Sequence, residues 1–171
     1  STTPLHGGSI GEVYRVDLPG DERIVAKVAQ GKAATLDIEG YMLTYLREQS
    51  NLPVPVVIHA EPGLLLMDYI AGDSRLDNRS QAHAAELLAD LHSVRTDTFG
   101  LERDTLIGGL HQPNPLTDKW IDFFREHRLL YMARVALDAG RLPADVMRRV
   151  EKLAAQLDRH IVEPAHPALI H

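Results

Sequence analysis

The apolar and polar positions of the first 50 residues predict a β-hairpin followed by a helix. Residues 12–18 alternate, 19–22 read Pro-Gly-Asp-Glu, and 23–29 form a second, mostly apolar run. This pattern is typical of two antiparallel strands joined by a turn. Residues 33–49 follow with apolar positions at helical spacing. The apolar face of this predicted helix consists of Leu36, Leu43 and Leu46.

Two further strands are predicted before residue 70. Residues 54–58 are mostly apolar, and the prolines at 53 and 55 favour an edge strand because proline cannot donate to a sheet hydrogen bond. A Glu-Pro-Gly turn at 61–63 leads into the uninterrupted apolar run 64–70. A run without polar alternation predicts a strand in the interior of the sheet.

Helical periodicity replaces the strand pattern beyond residue 80. Residues 80–94 predict a helix with Ser80 as its N-cap, and 96–115 predict a long loop. A second helix is predicted over 117–140, with Thr117 as its cap.

The last predicted helix opens at Pro143, a residue that suits the first helical turn. The apolar face of this helix consists of Val146, Val150, Leu153 and Leu157.

A sheet with one helix over 1–70 and helices over 71–171 predicts an α+β protein with two unequal lobes.

One charged pair stands inside otherwise apolar segments. Lys27 is the only charged residue of 24–29, and Glu39 lies between Leu36 and Leu43 on the apolar helix face. A carboxylate on a buried face is costly unless it is paired. A strand lysine paired with a helix glutamate is the arrangement with which kinases hold nucleotide phosphates. A salt bridge without a ligand is the alternative, although such a pair adds little net stability.

A glycine-rich segment precedes the first predicted strand. It comprises Gly7, Gly8, Ser9, Ile10 and Gly11. Glycines let the backbone approach a ligand and turn its N–H groups toward phosphate oxygens. A simple turn is the alternative. The order of glycine loop, strand, lysine strand and glutamate helix favours a kinase phosphate loop over a Walker or Rossmann site.

The end of the apolar run at 64–70 is the predicted adenine site. The backbone at Asp68, Tyr69 and Ile70 is expected to pair with the edge of the base, with Met67 beside it. An ordinary core strand followed by a loop is the alternative.

Composition excludes several classes of protein. The 171 residues carry a net charge of −6, which argues against nucleic-acid or anionic-membrane surfaces. There is no cysteine, and therefore no disulfide and no thiolate nucleophile or ligand. The nine histidines show no tight ligand pair, so no metal site is expected from them. No apolar run reaches membrane-spanning length, and a cytoplasmic protein is expected.

At this point the chain resembles the fructosamine kinase (ketosamine-3-kinase) family, within the aminoglycoside phosphotransferase and choline kinase group. The general matches are Gly-Gly-Ser-Ile (7–10), Ile-Val-Ala-Lys (24–27), Glu39, Leu-Leu-Met-Asp-Tyr-Ile (65–70) and Leu-Ala-Asp-Leu-His (88–92). The most specific matches are Phe-Gly-Leu-Glu-Arg-Asp-Thr-Leu-Ile-Gly (99–108), Gln-Pro-Asn (112–114) and Trp-Ile-Asp-Phe-Phe-Arg-Glu-His-Arg (120–128).

The resemblance implies a protein-kinase-like, two-lobed fold, with an ATP-binding N-lobe over 1–70 and a helical C-lobe, truncated here, over 71–171. It implies transfer of a phosphoryl group from ATP, with Mg²⁺, to a sugar hydroxyl of a ketoamine. Lys27 would orient the α- and β-phosphates, and Glu39 would position Lys27. His171 would begin the catalytic loop, whose aspartate and metal ligands are expected beyond the end of the chain.

The chain departs from the family at the phosphate loop, where Ser9 occupies a position that often holds cysteine. The helix that usually precedes that loop is expected to be missing. Without the catalytic aspartate, the 171-residue chain alone is expected to be inactive and to self-associate. The expected partner is a small-molecule or glycated-amine substrate, with no nucleic acid and no membrane. The alternatives are a kinase of the same fold acting on an aminoglycoside, choline or another small alcohol, and a non-catalytic nucleotide-binding protein.

Overall fold

The N-terminal part of the chain folds as an antiparallel sheet. The computed structural model describes residues 1–5, 11–31, 34–72 and 76–170. Its five-stranded sheet has the order β1-β2-β3-β5-β4, and all neighbouring strands are antiparallel. The strands are β1 (Thr2–Leu5), β2 (Glu12–Asp17), β3 (Arg23–Val28), β4 (Val57–Glu61) and β5 (Leu64–Asp68).

The predicted hairpin is present as β2 and β3, which pair from Glu12 opposite Val28 to Asp17 opposite Arg23. The edge strand β4 begins after the two prolines rather than between them, because proline cannot donate to the sheet. β5 lies between β3 and β4, in the interior, as its apolar run predicts. Strand β1 was not predicted, since its short polar sequence has no apolar alternation.

Helix α1 (Leu36–Gln49) packs on β4 and β5. Leu36 is almost completely buried, in agreement with the predicted apolar face. The contact is closest at Gly40, where an added Cβ atom would lie 2.5 Å from the Cβ atom of Ala60 and 3.3 Å from Cδ1 of Leu65. Glycine therefore sets the distance between helix and sheet one residue after Glu39.

Helix α2 (Asn78–Ser93) is capped by Asp77, so the assignment of Ser80 as N-cap was wrong. The Asp77 carboxylate accepts hydrogen bonds from the backbone N–H of Ser80 at 2.7 Å and from its hydroxyl at 2.8 Å. Both residue types cap helices well, and only the structure shows where the helical dihedrals begin.

The segment predicted as one long loop contains a short β-hairpin of β6 (Thr105–Ile107) and β7 (Leu110–Gln112). Three-residue strands are too short for alternation to reveal them. The helical elements that follow are α3 (Trp120–Phe124), a π-helical segment (Arg125–Leu130), α4 (Tyr131–Asp138), α5 (Ala144–Ala154) and a 3₁₀ turn (Leu157–Arg159).

The predicted helix over 117–140 is therefore a continuous α–π–α helix that begins at Trp120, and Thr117 does not cap it. The first turn is capped instead from a distant segment. Both carboxylate oxygens of Glu163 accept backbone hydrogen bonds, one from Trp120 and one from Ile121. A cap 43 residues along the chain leaves no local sequence signal.

The core of the helical region differs in detail from the predicted apolar face of α5. Leu157 is buried as predicted, but the side chain of Leu153 is 45% exposed. The buried cluster consists of Leu130, Ala133, Met147 and Ala154, with Leu129, Leu137, Leu142 and Val150 packed against it.

The chain forms two compact units. The first comprises residues 1–94, 106–110 and 170, and the second comprises 95–105 and 111–169. The division into lobes near residue 70 stays a prediction. Within the described residues, no helix is long and apolar enough to cross a membrane.

Replacement of Gly40 by alanine is expected to destabilise the protein, although alanine is the better helix former by about 1 kcal/mol. The added methyl group would overlap Ala60, which is fixed in a strand, and overpacking typically costs about 1–3 kcal/mol. Urea unfolding of Gly40→Ala measures the net loss. Gly72→Ala is the matched control because no atom lies within 4 Å of its added Cβ. Equal stability of the two variants would contradict this account of the helix–sheet contact.

The N-cap of α2 should make stability depend on acid pH. The N–H and then the hydroxyl of Ser80 hold the pKa of Asp77 below its ordinary value. Because this pKa is lowered by folding, the ionised Asp77 carboxylate stabilises the folded state fully above pH ~4. That stabilisation is lost as the pH falls through the lowered pKa. Asp77→Asn retains a cap but cannot titrate, so its melting temperature should fall less than the wild type's between pH 5 and pH 2. Identical pH profiles would rule this contribution out.

Candidate functional site

Lys27 and Glu39 form a bidentate ion pair. The Lys27 Nζ atom lies 2.9 Å from Oε1 and 2.7 Å from Oε2 of Glu39. The lysine side chain is 12% exposed and the glutamate side chain 34%. The pair is therefore mostly shielded on its lysine side and open to solvent on its carboxylate side.

The sheet and α1 each hold one member of this pair. Lys27 lies on β3 between its cross-strand neighbours Val13 and Leu65. Glu39 lies in the first turn of α1, and the close approach at Gly40 brings that turn against the sheet. Sequence reasoning identified the two charges but missed Gly40. Its position next to Glu39 on a buried face was the available signal.

Most of the predicted phosphate loop lies outside the described residues, including Gly7, Gly8, Ser9 and Ile10. Gly11 is described and has φ = +80°, a conformation that L-residues with side chains rarely adopt. A Cβ atom there would lie 2.6 Å from the carbonyl oxygen of Val28. The end of the loop therefore touches β3 one residue after Lys27, and only glycine permits that approach.

The predicted adenine site follows the end of β5. Met67 is paired with Val25 in β3 and is half-buried. Asp68 is already engaged with Val56, because its N–H donates to the carbonyl of Val56 at 3.0 Å and its carboxylate accepts from the N–H of Val56 at 2.6 Å.

The two residues after Asp68 lie outside the sheet. The Arg15 guanidinium lies 6.0 Å from the centroid of the Tyr69 ring, and the Ile70 side chain is exposed. The backbone from Tyr69 onward is therefore the part of the predicted segment left outside the strand pairing. The adenine contact itself stays a prediction.

His171 lies outside the described residues. The segment before it is fixed at two places in the second unit. Glu163 caps the helix at Trp120, and Ala168 forms a β-bridge with Arg95. The role of His171 as the start of a catalytic loop stays a prediction.

Among the described residues, no group of three or more His, Asp or Glu side chains is placed to hold a metal ion.

The sequence segments most specific to the resemblance meet around Asn114. This side chain is 3% exposed and fully engaged. Its Nδ2 atom donates to the carbonyl of Arg103 and to the hydroxyl of Thr105, and its backbone N–H donates to Asp104 at 2.8 Å. The Arg128 guanidinium donates to its Oδ1 atom. A buried amide with all of these partners fixes the loop before and after it.

Arg128 is half-buried rather than exposed on the surface of its helix. Its guanidinium also donates to the carbonyl of Pro113 at 2.7 Å and lies 4.4 Å from the centroid of the Phe123 ring. Burial lowers the pKa of Arg128, and nearby Asp104 acts in the opposite direction. The π-helical segment contains Arg128, and no periodicity argument based on 3.6 residues per turn anticipates that insertion.

Neutralising Glu39 should reveal how much the ion pair contributes to folding. Glu39→Gln leaves the nearly buried Lys27 ammonium without its counter-charge, and we expect a loss of about 1–3 kcal/mol in unfolding free energy. Glu48→Gln, an exposed change on the same helix, should stay within about 0.5 kcal/mol of wild type. Chemical denaturation measures both. A loss no larger in Glu39→Gln than in Glu48→Gln would mean that the pair is energetically unimportant to the fold.

Comparison with curated proteins finds relatives along almost the whole chain. It is 32% identical to a probable ketoamine kinase of Synechocystis sp. over 179 residues, and 28% identical to a probable ketoamine kinase of Vibrio cholerae over 173 residues. Each alignment covers 98% of this chain. The chain spans 57% and 59% of the length of these two relatives.

Solved structures show the same fold. A Thermobifida fusca protein assigned as a fructosamine-3-kinase superposes with a TM-score of 0.84 at 29% identity, over 100% of this chain and 60% of its own. The complex of APH(2″)-IIa with streptomycin and ATP superposes with a TM-score of 0.50 at 16% identity, which bears on the fold alone. These neighbours confirm the predicted α+β, protein-kinase-like fold. The family model described as fructosamine kinase matches residues 1–171, and the chain therefore belongs to the fructosamine kinase family.

Proposed function

We propose that this protein is an ATP-dependent kinase that phosphorylates a sugar hydroxyl of a ketoamine. The observation that carries the proposal is the bidentate Lys27–Glu39 pair, because it fixes an ammonium group on a strand beside a glycine turn. Family membership and relatives named as probable ketoamine kinases support the same activity.

The described residues fit a nucleoside triphosphate. Lys27 is shielded and held by one carboxylate, so its remaining donor capacity can be directed at phosphate oxygens. Gly11 has no side chain, and its backbone therefore closes against the carbonyl of Val28, one residue after Lys27. This contact holds the end of the predicted phosphate loop beside the lysine strand. ATP supplies the transferable phosphoryl group, and Mg²⁺ would offset the charge of the phosphates.

Within this arrangement, Lys27 has an electrostatic role. Its ammonium is positioned in advance by Glu39 and does not have to reorganise as charge develops on the phosphates. Glu39 is a positioning residue, because it acts through the orientation of Lys27. The proposed acceptor is the hydroxyl of a sugar attached to an amine.

The proposal is tested with the natural full-length protein, Mg-ATP and a panel of acceptors. We expect phosphate transfer to a fructose- or ribose-derived ketoamine, measured by mass spectrometry of the product. Preferential transfer to an aminoglycoside or to choline would replace the proposed acceptor. Binding of ATP without transfer to any acceptor would favour the non-catalytic alternative. Inactivity of the 171-residue chain by itself stays a prediction, and the same assay applied to that chain checks it.

Replacement of Lys27 by alanine should reduce kcat/KM by about two decades or more, as is typical when a charge contact to the transition state is lost. Steady-state kinetics at saturating ketoamine, together with a thermal melt, separate this loss from unfolding. Arg23→Ala is the matched control, because Arg23 is an exposed cation on the same strand. Near-normal kcat/KM in Lys27→Ala would show that this lysine has been given the wrong role.

A further inference from the structure

Three titratable side chains of the second unit are joined by hydrogen-bonding contacts. The Asp104 carboxylate lies 2.9 Å from Nε2 of His111, and Nδ1 of the same imidazole lies 3.0 Å from the Tyr131 hydroxyl. The aspartate precedes β6, the histidine lies on β7, and the tyrosine begins α4. Three separate elements therefore align a carboxylate, an imidazole and a phenol.

The chemistry of the carboxylate fixes the direction of these hydrogen bonds. An ionised carboxylate only accepts hydrogen bonds, so Nε2 of His111 must carry the proton that faces Asp104. In neutral His111, Nδ1 then has a free lone pair, and the Tyr131 hydroxyl must donate to it. The phenol proton therefore points at the imidazole, and the carboxylate orients that imidazole. Enzymes activate nucleophilic hydroxyl groups with the same arrangement of base and carboxylate.

The carboxylate is held in place and the group is accessible. Its second oxygen accepts the backbone N–H of Asn114 at 2.8 Å, which anchors Asp104 to the buried amide network. The side chains of His111 and Asp104 are 51% and 48% exposed. Asp104 also lines an open cleft of about 450 Å³, whose other lining residues include Leu101, Leu116 and His127. A small reagent can therefore reach the imidazole of His111 from solvent.

We propose that Tyr131 is a nucleophilic phenol that accepts an acyl group from activated acyl donors. The phenol oxygen forms a bond to the acyl carbon while its proton moves to Nδ1 of His111. The bond between the acyl carbon and the leaving group breaks, and the leaving group departs with the electron pair. Asp104 stabilises the resulting imidazolium, which then releases its proton to solvent. The product is an aryl ester on Tyr131.

Tyr14 provides an internal reference. It is also half-buried, but its hydroxyl donates directly to the Glu12 carboxylate at 2.7 Å. That hydrogen bond and the negative charge of Glu12 raise the pKa of Tyr14. A carboxylate is ordinarily a weaker base than an imidazole by about two pH units. Tyr14 should therefore react more slowly than Tyr131, although both hydroxyls have a hydrogen-bond acceptor.

The test uses p-nitrophenyl acetate at pH 8, where an ordinary imidazole is neutral. Release of nitrophenolate is followed by absorbance, and the acetylated residues are located by peptide mass spectrometry over time. We expect acetylation of Tyr131 at least about tenfold faster than that of Tyr14, since positioned general bases contribute that much or more. Equal rates at the two tyrosines would overturn the proposal.

Two variants test whether Tyr131 is acetylated because His111 and Asp104 activate its hydroxyl or only because it is accessible to the reagent. His111→Gln retains a polar side chain without a base and should slow acetylation of Tyr131 by about tenfold or more. Asp104→Asn keeps an acceptor for Asn114, but its amide donates toward Nε2 and reverses the tautomer, so Nδ1 can no longer take the proton. Asp104→Asn should slow the acetylation of Tyr131 similarly.

Circular dichroism and a thermal melt confirm that both variants are folded, and the acetylation of Tyr14 should not change. Unchanged Tyr131 rates in both folded variants would show that the three groups are only a structural hydrogen-bond chain.

Discussion

The placement of one mostly buried ammonium group in the sheet is the constraint on which the first unit depends. Lys27 lies between β2 and β5, where an unpaired charge would be costly. Its partner has to come from α1, and Glu39 reaches it only because Gly40 lets the helix approach the sheet. The ion pair therefore forms only if α1 packs closely on the sheet. A paired, partly buried charge adds little to net stability, which is consistent with a role in function.

The second unit depends on a buried amide rather than on a charge pair. Asn114 satisfies its hydrogen bonds with residues 103–105 and with Arg128, which lies in the π-helical stretch. Such a network is stable only when every member is satisfied. The backbone N–H of Asn114 also donates to the Asp104 carboxylate, which connects this network to His111 and Tyr131.

The comparisons and the geometry constrain different parts of the function. Family membership rests on the whole chain, whereas the proposed phosphate chemistry rests on the arrangement of a few residues in the first unit. The ion pair and the glycine at residue 11 are suited to phosphate chemistry but carry no information about the acceptor. The ketoamine acceptor is therefore inferred from the relatives, and the phosphate donor is inferred from both sources.

The sequence by itself determined the main strands and helices, the α+β class and the two members of the ion pair, because period-2 and period-3.6 patterns are local and a lone charge on an apolar face demands a partner. The tertiary structure decided the remainder. The N-terminus of the helix at Trp120 is capped from Glu163, Arg128 turns inward within a π-helical segment, and Leu153 stays exposed while neighbouring positions form the core. Each of these depends on residues distant in sequence or on a departure from ideal helical geometry. Local periodicity contains no information about either.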